Sequence, residues 1–413
     1  MQKFALWWER GLIAALALSV ALLGVGRVEF IVPGGGTISA WSISRTTFFF
    51  WLVLKLVLLV RSGWAVTGLS RLRSLAPLFL FFTLVTLSLL PDFHQAGDYR
   101  YFFFGCAHAV MLVDLFSSGP QRRWLPLLLG LVPLVLVARG FLRDPLILNF
   151  DLSHRFAFPL DSWNTAGYVL AMSIPLCLLV TIVNAGWWRA LGLLSCAGQM
   201  LALILTFSRG AWLGWGASMV YLAVTTKKWK YIAVISALTT TCVLVAPSLR
   251  SRLLTISQPL SDQSISERVQ LLKSSLQLGL ENPVLGVGYG RGRLKESLRS
   301  RLEGTVLEDS PIWHTHNVYV ELFAETGLLG LLSFLWLIGQ TLLRVSQAAI
   351  RCDGAERLAG FAVSASWIAA IVAGVGDIPF YHHETRILFF SLFALAYIYS
   401  SRPERVASNA NGS

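Results

Sequence analysis

The sequence predicts an all-α polytopic integral membrane protein with about twelve transmembrane helices and one large, partly helical loop. Three observations carry that reading. The chain has 413 residues, 55% of them hydrophobic, and a mean hydropathy of +0.63, too apolar for a water-soluble protein of this size. Long uncharged runs recur almost to the end, each near the ~20 residues that cross a bilayer core as a helix. These runs are rich in Leu, Val and Ala, without the period-two alternation that a membrane barrel requires.

The spanning segments are expected near residues 11–27, 44–61, 74–91, 100–117, 123–140, 163–184, 187–207, 210–226, 230–247, 317–344, 356–377 and 386–401. Basic residues choose the faces. Lys3, Arg10, Arg61, Arg71, Arg73, Arg122, Arg123, Arg189, the "KKWK" of 227–230, Arg344, Arg351, Arg357, Arg402 and Arg405 fall on alternate loops. A single cytoplasmic face produces that pattern, with both termini on it. The opposite face receives "PDFHQAGDYR", the loop 139–163 and the long polar stretch 248–316. The chain therefore divides into spans 1–247, the large loop 248–316, spans 317–401 and a cytoplasmic tail, 402–413. "MQKFALWWERG" opens a retained first helix, since no small-residue cleavage site follows the first apolar run.

The net charge of +12 belongs with membrane anchoring. The basic residues are dispersed and lack the aromatic interleaving of a single-stranded nucleic-acid track, so no nucleic-acid partner is expected. The five cysteines show neither a disulfide framework nor a CxxC pattern.

Within the large loop, Val269, Leu272, Leu276 and Leu280 recur at helical spacing, with Ser264 or Ser266 as cap. "NPVLGVGYGRGR" then breaks the helix. Its glycines could let backbone N–H groups approach an anion, with Arg291 and Arg293 adding charge; a plain glycine-rich hairpin is the alternative. The spacing is neither a Rossmann fingerprint nor a P-loop. Arg209, in "TFSRGAWLGW", sits at the seam of two apolar segments, with Gly210 in a tight turn. It is either an interfacial anchor or an anion ligand. Arg268 on the loop helix is either a solvated charge or a further anion ligand.

"WHTHNVYVELFAETGLLG" places His314 and His316 directly before an apolar helix that Asn317 can cap. At positions i and i+2, the two rings would share a face only in an extended chain. A zinc site would need a third ligand that the sequence does not show, so no metal is expected. A titratable His at the water–lipid boundary suits general acid–base work; capping or headgroup binding is the rival role. Arginines bind diphosphate bidentately, so the clusters together fit displacement of a diphosphate leaving group from a membrane lipid, with His activating the attacking hydroxyl.

The landmarks "SRGAWLG", "ENPVLGVGYG" and "HNVYVELFAETGLLG", in this order and with one large late loop, resemble the O-antigen ligase and polymerase superfamily of bacterial envelope glycosyltransferases. In the ligase branch a His is followed by Asn, Ser or Gln, nine residues, Gly, two residues, then Gly, Thr or Tyr. His316, Asn317, Gly327 and Gly330 satisfy that pattern, and His314 lies outside it. The resemblance implies a GT-C-like fold in the Gram-negative inner membrane, with its active site facing the periplasm. It implies transfer of O-antigen from undecaprenyl diphosphate to a sugar hydroxyl of lipid A–core, completing lipopolysaccharide with inversion and without metal or other cofactor. His316, Arg209 and Arg268 would be catalytic. Arg291, Arg143, Arg155, His314, Asn317, Tyr289 and Asp377 would contact substrate, with orientation of His316 a second role open to Asp377. Membrane lipids are the other expected partners. An O-antigen polymerase with the same donor, an oligosaccharyltransferase acting on protein, and a lipid or polysaccharide transporter are the alternatives.

Overall fold

A computed structural model describes residues 2–21, 30–32, 36–38, 40–62, 75–89, 99–117, 120–160, 162–227, 263–303, 314–378 and 383–400, with a few single residues between them. The helices are α1 (Gln2–Ala21), α2 (Ala40–Ser62), α3 (Ala76–Leu87), α4 (Tyr99–Phe116), α5 (Trp124–Arg143), α6 (Trp163–Val183), α7 (Gly186–Leu205), α8 (Arg209–Thr226), α9 (Gln263–Glu281), α10 (Arg291–Leu302), α11 (Val318–Ile350), α12 (Gly354–Ala373) and α13 (His383–Ser400). The described architecture is all-helical apart from one short element. Phe30–Val32 and Gly36–Ile38 form a two-stranded antiparallel hairpin between α1 and α2. The expected ninth span, 230–247, lies almost wholly outside the described residues, and Cys242 with it. The other four cysteines are buried and form no disulfide among the described residues.

Among the described residues, six helices are long and apolar enough to cross a membrane: the stretch Ser42–Arg61 of α2, and α5, α6, α7, α11 and α12. Ala76–Leu87 and Thr385–Ser400 are shorter apolar helices. The protein is a multi-pass membrane protein. Its polarity is inverted as lipid solvent demands. Leu52, Val53, Leu56, Val57 and Val60 are exposed on α2, whereas Lys55 on the same helix is buried.

Helix α6 is the hub, packed on α5, α7, α8 and α12. Small residues bring these helices close. A Cβ on Gly214 of α8 would stand 2.5 Å from the Ala369 carbonyl oxygen of α12, and one on Gly130 of α5 2.9 Å from the Cys177 nitrogen of α6. On the far side of the bundle, α13 packs against α4, and α11 against α3.

A lysine deep in an apolar span, such as Lys55, could snorkel to the interface. It instead points inward and pairs with Asp114 of α4 at 2.6 Å. Trp51 Nε1 donates to the same carboxylate at 2.8 Å. A layer away, the buried His108 ring stands 2.9 Å from Ser44 Oγ and 3.0 Å from Ser391 Oγ, joining α2, α4 and α13.

Helices α9 and α10 form a second, smaller core, in which Leu271, Leu278, Leu294, Leu298 and Leu302 pack on Ala324 of α11. The buried face of α9 is not the one expected. Val269, Leu276 and Leu280 are exposed, and Leu271, Ser275 and Leu278 face inward. The helix carries apolar residues on two sides, so spacing alone could not select the one that α10 covers. Ser264 and Ser266 lie inside the helix rather than at its cap.

The glycine-rich stretch ties this second core to the bundle. Gly327 takes φ 65° and breaks α11. Residues 283–288 then pair with the broken segment: Val287 N–H donates to Ala324 O at 2.9 Å, Gly288 N–H to Glu325 O at 2.8 Å, and Leu328 N–H to Pro283 O at 2.7 Å. A side chain at Gly327 would meet the Val284 carbonyl carbon at 2.3 Å, and one at Gly286 the Glu325 carbonyl carbon at 2.3 Å.

Two stability predictions follow from these contacts. Lys55→Met strands a buried carboxylate and should lower unfolding free energy by about 3–5 kcal/mol. The double variant Lys55→Met/Asp114→Leu should recover most of that loss in detergent-solubilised unfolding; simple additivity would show the pair to be uncoupled. Gly327→Ala combines a left-handed backbone with a backbone clash and should cost about 3 kcal/mol. Gly216→Ala on α8, where a Cβ meets nothing within 4 Å, should leave the melting temperature unchanged and serves as its control.

Candidate functional site

Three helices begin at one place. The N-termini of α6, α8 and α11 and the C-terminal end of α12 meet around residues 374–377. Val318 N–H donates to Gly374 O at 2.9 Å, and Asn317 Nδ2 donates to Val375 O at 3.1 Å. Tyr319 Oη reaches Ile371 O at 2.8 Å. A Cβ on Gly376 would lie 3.6 Å from Gly210 Cα, and one on Gly210 3.4 Å from Tyr168 Oη. Helix N-termini carry partial positive charge, so this junction favours an anion.

Asp377 occupies its centre and is 1% exposed. Its Oδ2 accepts from Asn164 Nδ2 of α6 at 2.9 Å, and its Oδ1 from Ile378 N–H at 2.9 Å. The same Oδ1 faces His316 Nδ1 at 3.5 Å and His314 Nδ1 at 3.7 Å. Tyr168, one turn beyond Asn164, neighbours Asp377, Ser208 and Arg268. Arg268 reaches in from α9, its Nη1 donating to Gly376 O at 3.3 Å.

The two histidine rings do share a face, but not through an extended chain. His316 takes φ 55°, and this left-handed turn sets the rings 4.1 Å apart, edge to face, with planes at 76°. The turn is held by Glu321, buried in the first turn of α11. Its Oε2 accepts from Thr315 N–H at 2.6 Å and lies 2.9 Å from Thr315 Oγ1. Asn317 caps the helix, its Oδ1 accepting from Tyr319 N–H at 3.0 Å and Val320 N–H at 3.1 Å. Capping uses Asn317 Oδ1 and the bond to Val375 engages its Nδ2, so Asn317 positions the histidine turn.

The third ligand that sequence could not supply is Asp377. Potential donor atoms of His314, His316 and Asp377 all lie within 4.8 Å of one another. Three such groups could hold a cation with water completing its shell.

The other expected site residues lie at helix ends and in a loop. Arg209 is the first residue of α8, beside Gly210, but Gly210 lies inside the helix; the turn before it is made by Phe207 at φ 52°. Arg155 stacks on Trp163, next to Asn164, at 4.7 Å and donates from Nε to Leu152 O. Arg143 is exposed at the end of α5. Arg291 begins α10, and its side chain lies outside the described residues.

Tyr289 requires a correction. It is fully buried, stacked between Phe102 and Tyr381, with its N–H on Ser88 Oγ, so it packs behind the site rather than lining it. The glycine stretch is likewise no open anion cradle. The N–H groups of Val287, Gly288, Tyr289 and Gly290 all have protein acceptors, the last being Glu325 Oε1 at 3.2 Å. Tyr381 donates its hydroxyl to the other oxygen of Glu325. Burial, then the Glu325 charge, hold that phenol well above its usual range.

Sequence reasoning missed Asn164, Tyr168, Ser208 and Glu321. "SWNTAGY" did offer a signal, a polar pair at the mouth of an apolar span behind a Ser162 cap.

No curated protein matches the chain. Residues 190–335 match a family model described as O-antigen ligase, a stretch that takes in Arg209, Arg268, the glycine-rich segment and both site histidines. Over residues 190–335 the chain is similar to the O-antigen ligase family.

Proposed function

We propose that the protein is an O-antigen ligase. It transfers the O-antigen glycan from undecaprenyl diphosphate to a sugar hydroxyl of lipid A–core, at the periplasmic face of the inner membrane. In this reading the described helices belong to a twelve-span, GT-C-like enzyme. The observation that supports it best is the meeting of Arg268, the two histidines and the α8 N-terminus at one buried carboxylate, Asp377, from four separate parts of the chain.

The chemistry follows from that arrangement. With Nδ1 of His316 turned to Asp377, its Nε2 is the nitrogen available as a base. The 3.5 Å separation exceeds a formed hydrogen bond; such contacts commonly tighten when substrate binds. The acceptor hydroxyl oxygen attacks the anomeric carbon while its proton passes to His316. The bond from that carbon to the diphosphate oxygen breaks, and undecaprenyl diphosphate leaves with the electron pair. Attack opposite the leaving group inverts the centre. Arg268, Arg209 and the three helix N-termini hold the diphosphate and stabilise its growing charge. Asn164 positions Asp377, and Asp377 positions His316.

A second reading has its own observation, the His314–His316–Asp377 cluster, which has the composition of a cation site. Purified full-length protein given glycan-linked undecaprenyl diphosphate and lipid A–core separates the readings. His316→Ala should abolish ligation while leaving the melting temperature in place, and Arg268→Ala and Arg209→Ala should each slow it about 10²–10³-fold. Wild-type turnover by His316→Ala would end the assignment. Activity should persist in EDTA; loss in EDTA with recovery on adding a divalent ion would establish the metal reading. Longer glycan still on undecaprenyl diphosphate would identify a polymerase.

A further inference from the structure

Across the bundle from Asp377, the far ends of α5, α6 and α12 frame a cleft of about 550 Å³, within the range of pockets that hold small molecules. Its walls are Leu127 of α5, Leu179 and Val183 of α6, and Ala359 of α12, with Trp124 and Trp188 at the rim. Both tryptophans are largely exposed, at 53% and 43%, as aromatic residues at a membrane–water boundary are. The polar end holds Arg123, Glu356 and Tyr399.

The charges there do not cancel. Arg122 donates to Glu356, Nη2 to Oε2 at 2.5 Å, and its guanidinium lies 4.6 Å from the centre of the Tyr399 ring. The only carboxylate lining the cleft is therefore already neutralised. Arg123 has no carboxylate partner among the described residues. The cleft is thus apolar along the helices and positive at its mouth.

We propose that this cleft binds one anionic glycerophospholipid. Its phosphate sits at Arg123 and an acyl chain lies against Leu127, Leu179 and Val183. A zwitterionic lipid offers the same tail but no net charge to match Arg123. A second copy of the chain would have to bring an apolar ridge past the two tryptophans. The proposal concerns a surface remote from the catalytic residues and does not rest on glycosyl transfer.

The test is native mass spectrometry of delipidated full-length protein in detergent, titrated with phosphatidylglycerol and with phosphatidylcholine of the same acyl chains. One phosphatidylglycerol should bind, about fivefold tighter than phosphatidylcholine, the factor that one basic residue near an anionic headgroup contributes. Arg123→Gln should reduce phosphatidylglycerol to the phosphatidylcholine level. Val183→Trp and Ala355→Trp, which fill the cleft from exposed positions, should weaken both lipids. Unchanged lipid-free melting temperatures confirm that these variants fold. Equal binding of the two lipids by the wild type would overturn the proposal. So would wild-type binding by the variants, or a dimer that Val183→Trp dissociates.

Discussion

At Gly327 the longest helix leaves its hydrogen-bond ladder, and residues 283–288 take up peptide groups around the break. Inside a lipid-embedded bundle no water can do this, so a break survives only where other protein groups complete the bonding. The consequence is positional. The α9–α10 core is registered against one turn of α11, and Glu325 in that turn also bonds Gly290 N–H and the Tyr381 hydroxyl. Arg268 rides on α9, His316 precedes α11, and Asp377 lies just before Tyr381. Three candidate catalytic groups thus take their positions from the same few residues, which explains why glycine is needed there: at both 286 and 327, a Cβ would strike backbone.

The acids near the site have opposite fates. Glu321 and Glu325 are fully buried and turned toward donors of the protein itself, so their charge is spent on shaping the chain. Asp377 is nearly as buried but directs one oxygen at two imidazoles. Around it stand Arg268 and three helix N-termini, those of α6, of α8 at Arg209 and of α11. One structural carboxylate among so many positive groups leaves a surplus that matches a polyanion such as a diphosphate. A pair of catalytic carboxylates, as glycoside hydrolysis would require, is not what this geometry provides.

Much of this could be read from sequence where chemistry is local. Apolar runs of bilayer length marked the spanning helices, and "HN" before "VYVELF" marked a capped helix start, because each depends only on neighbours in the chain. The failures are all long-range. Which face of α9 is buried depends on α10 and on Ala324. Tyr289 sits in a glycine-rich, polar-looking stretch, yet α4 and Tyr381 enclose it. Asp377 was recognised by resemblance, but its partner Asn164 lies on a helix that no motif links to it. Lys55 looked alone because Asp114 is hidden in "VMLVDLF", within another span.

Those hidden charges also bear on whether the bundle carries solute. A transporter uses intramembrane charges that face a cavity at mid-membrane and change partners as it opens. Here Lys55 and Asp114 close on each other with Trp51 completing the set. Arg386 bonds Tyr381 O at 2.7 Å and lies 5.9 Å from the centre of the Tyr101 ring. None of the three lines the cleft framed by α5, α6 and α12 or the cavity between α1 and α2. Their bonds join α2 to α4, and α13 to the segment carrying Tyr381. They tie together helices that do not carry the site, whereas the groups available for chemistry, His316 and Arg268, stand partly exposed at one face. A bundle with its reactive groups at a single mouth suits the proposed transfer between two lipid-borne substrates, each of which could approach laterally within the membrane.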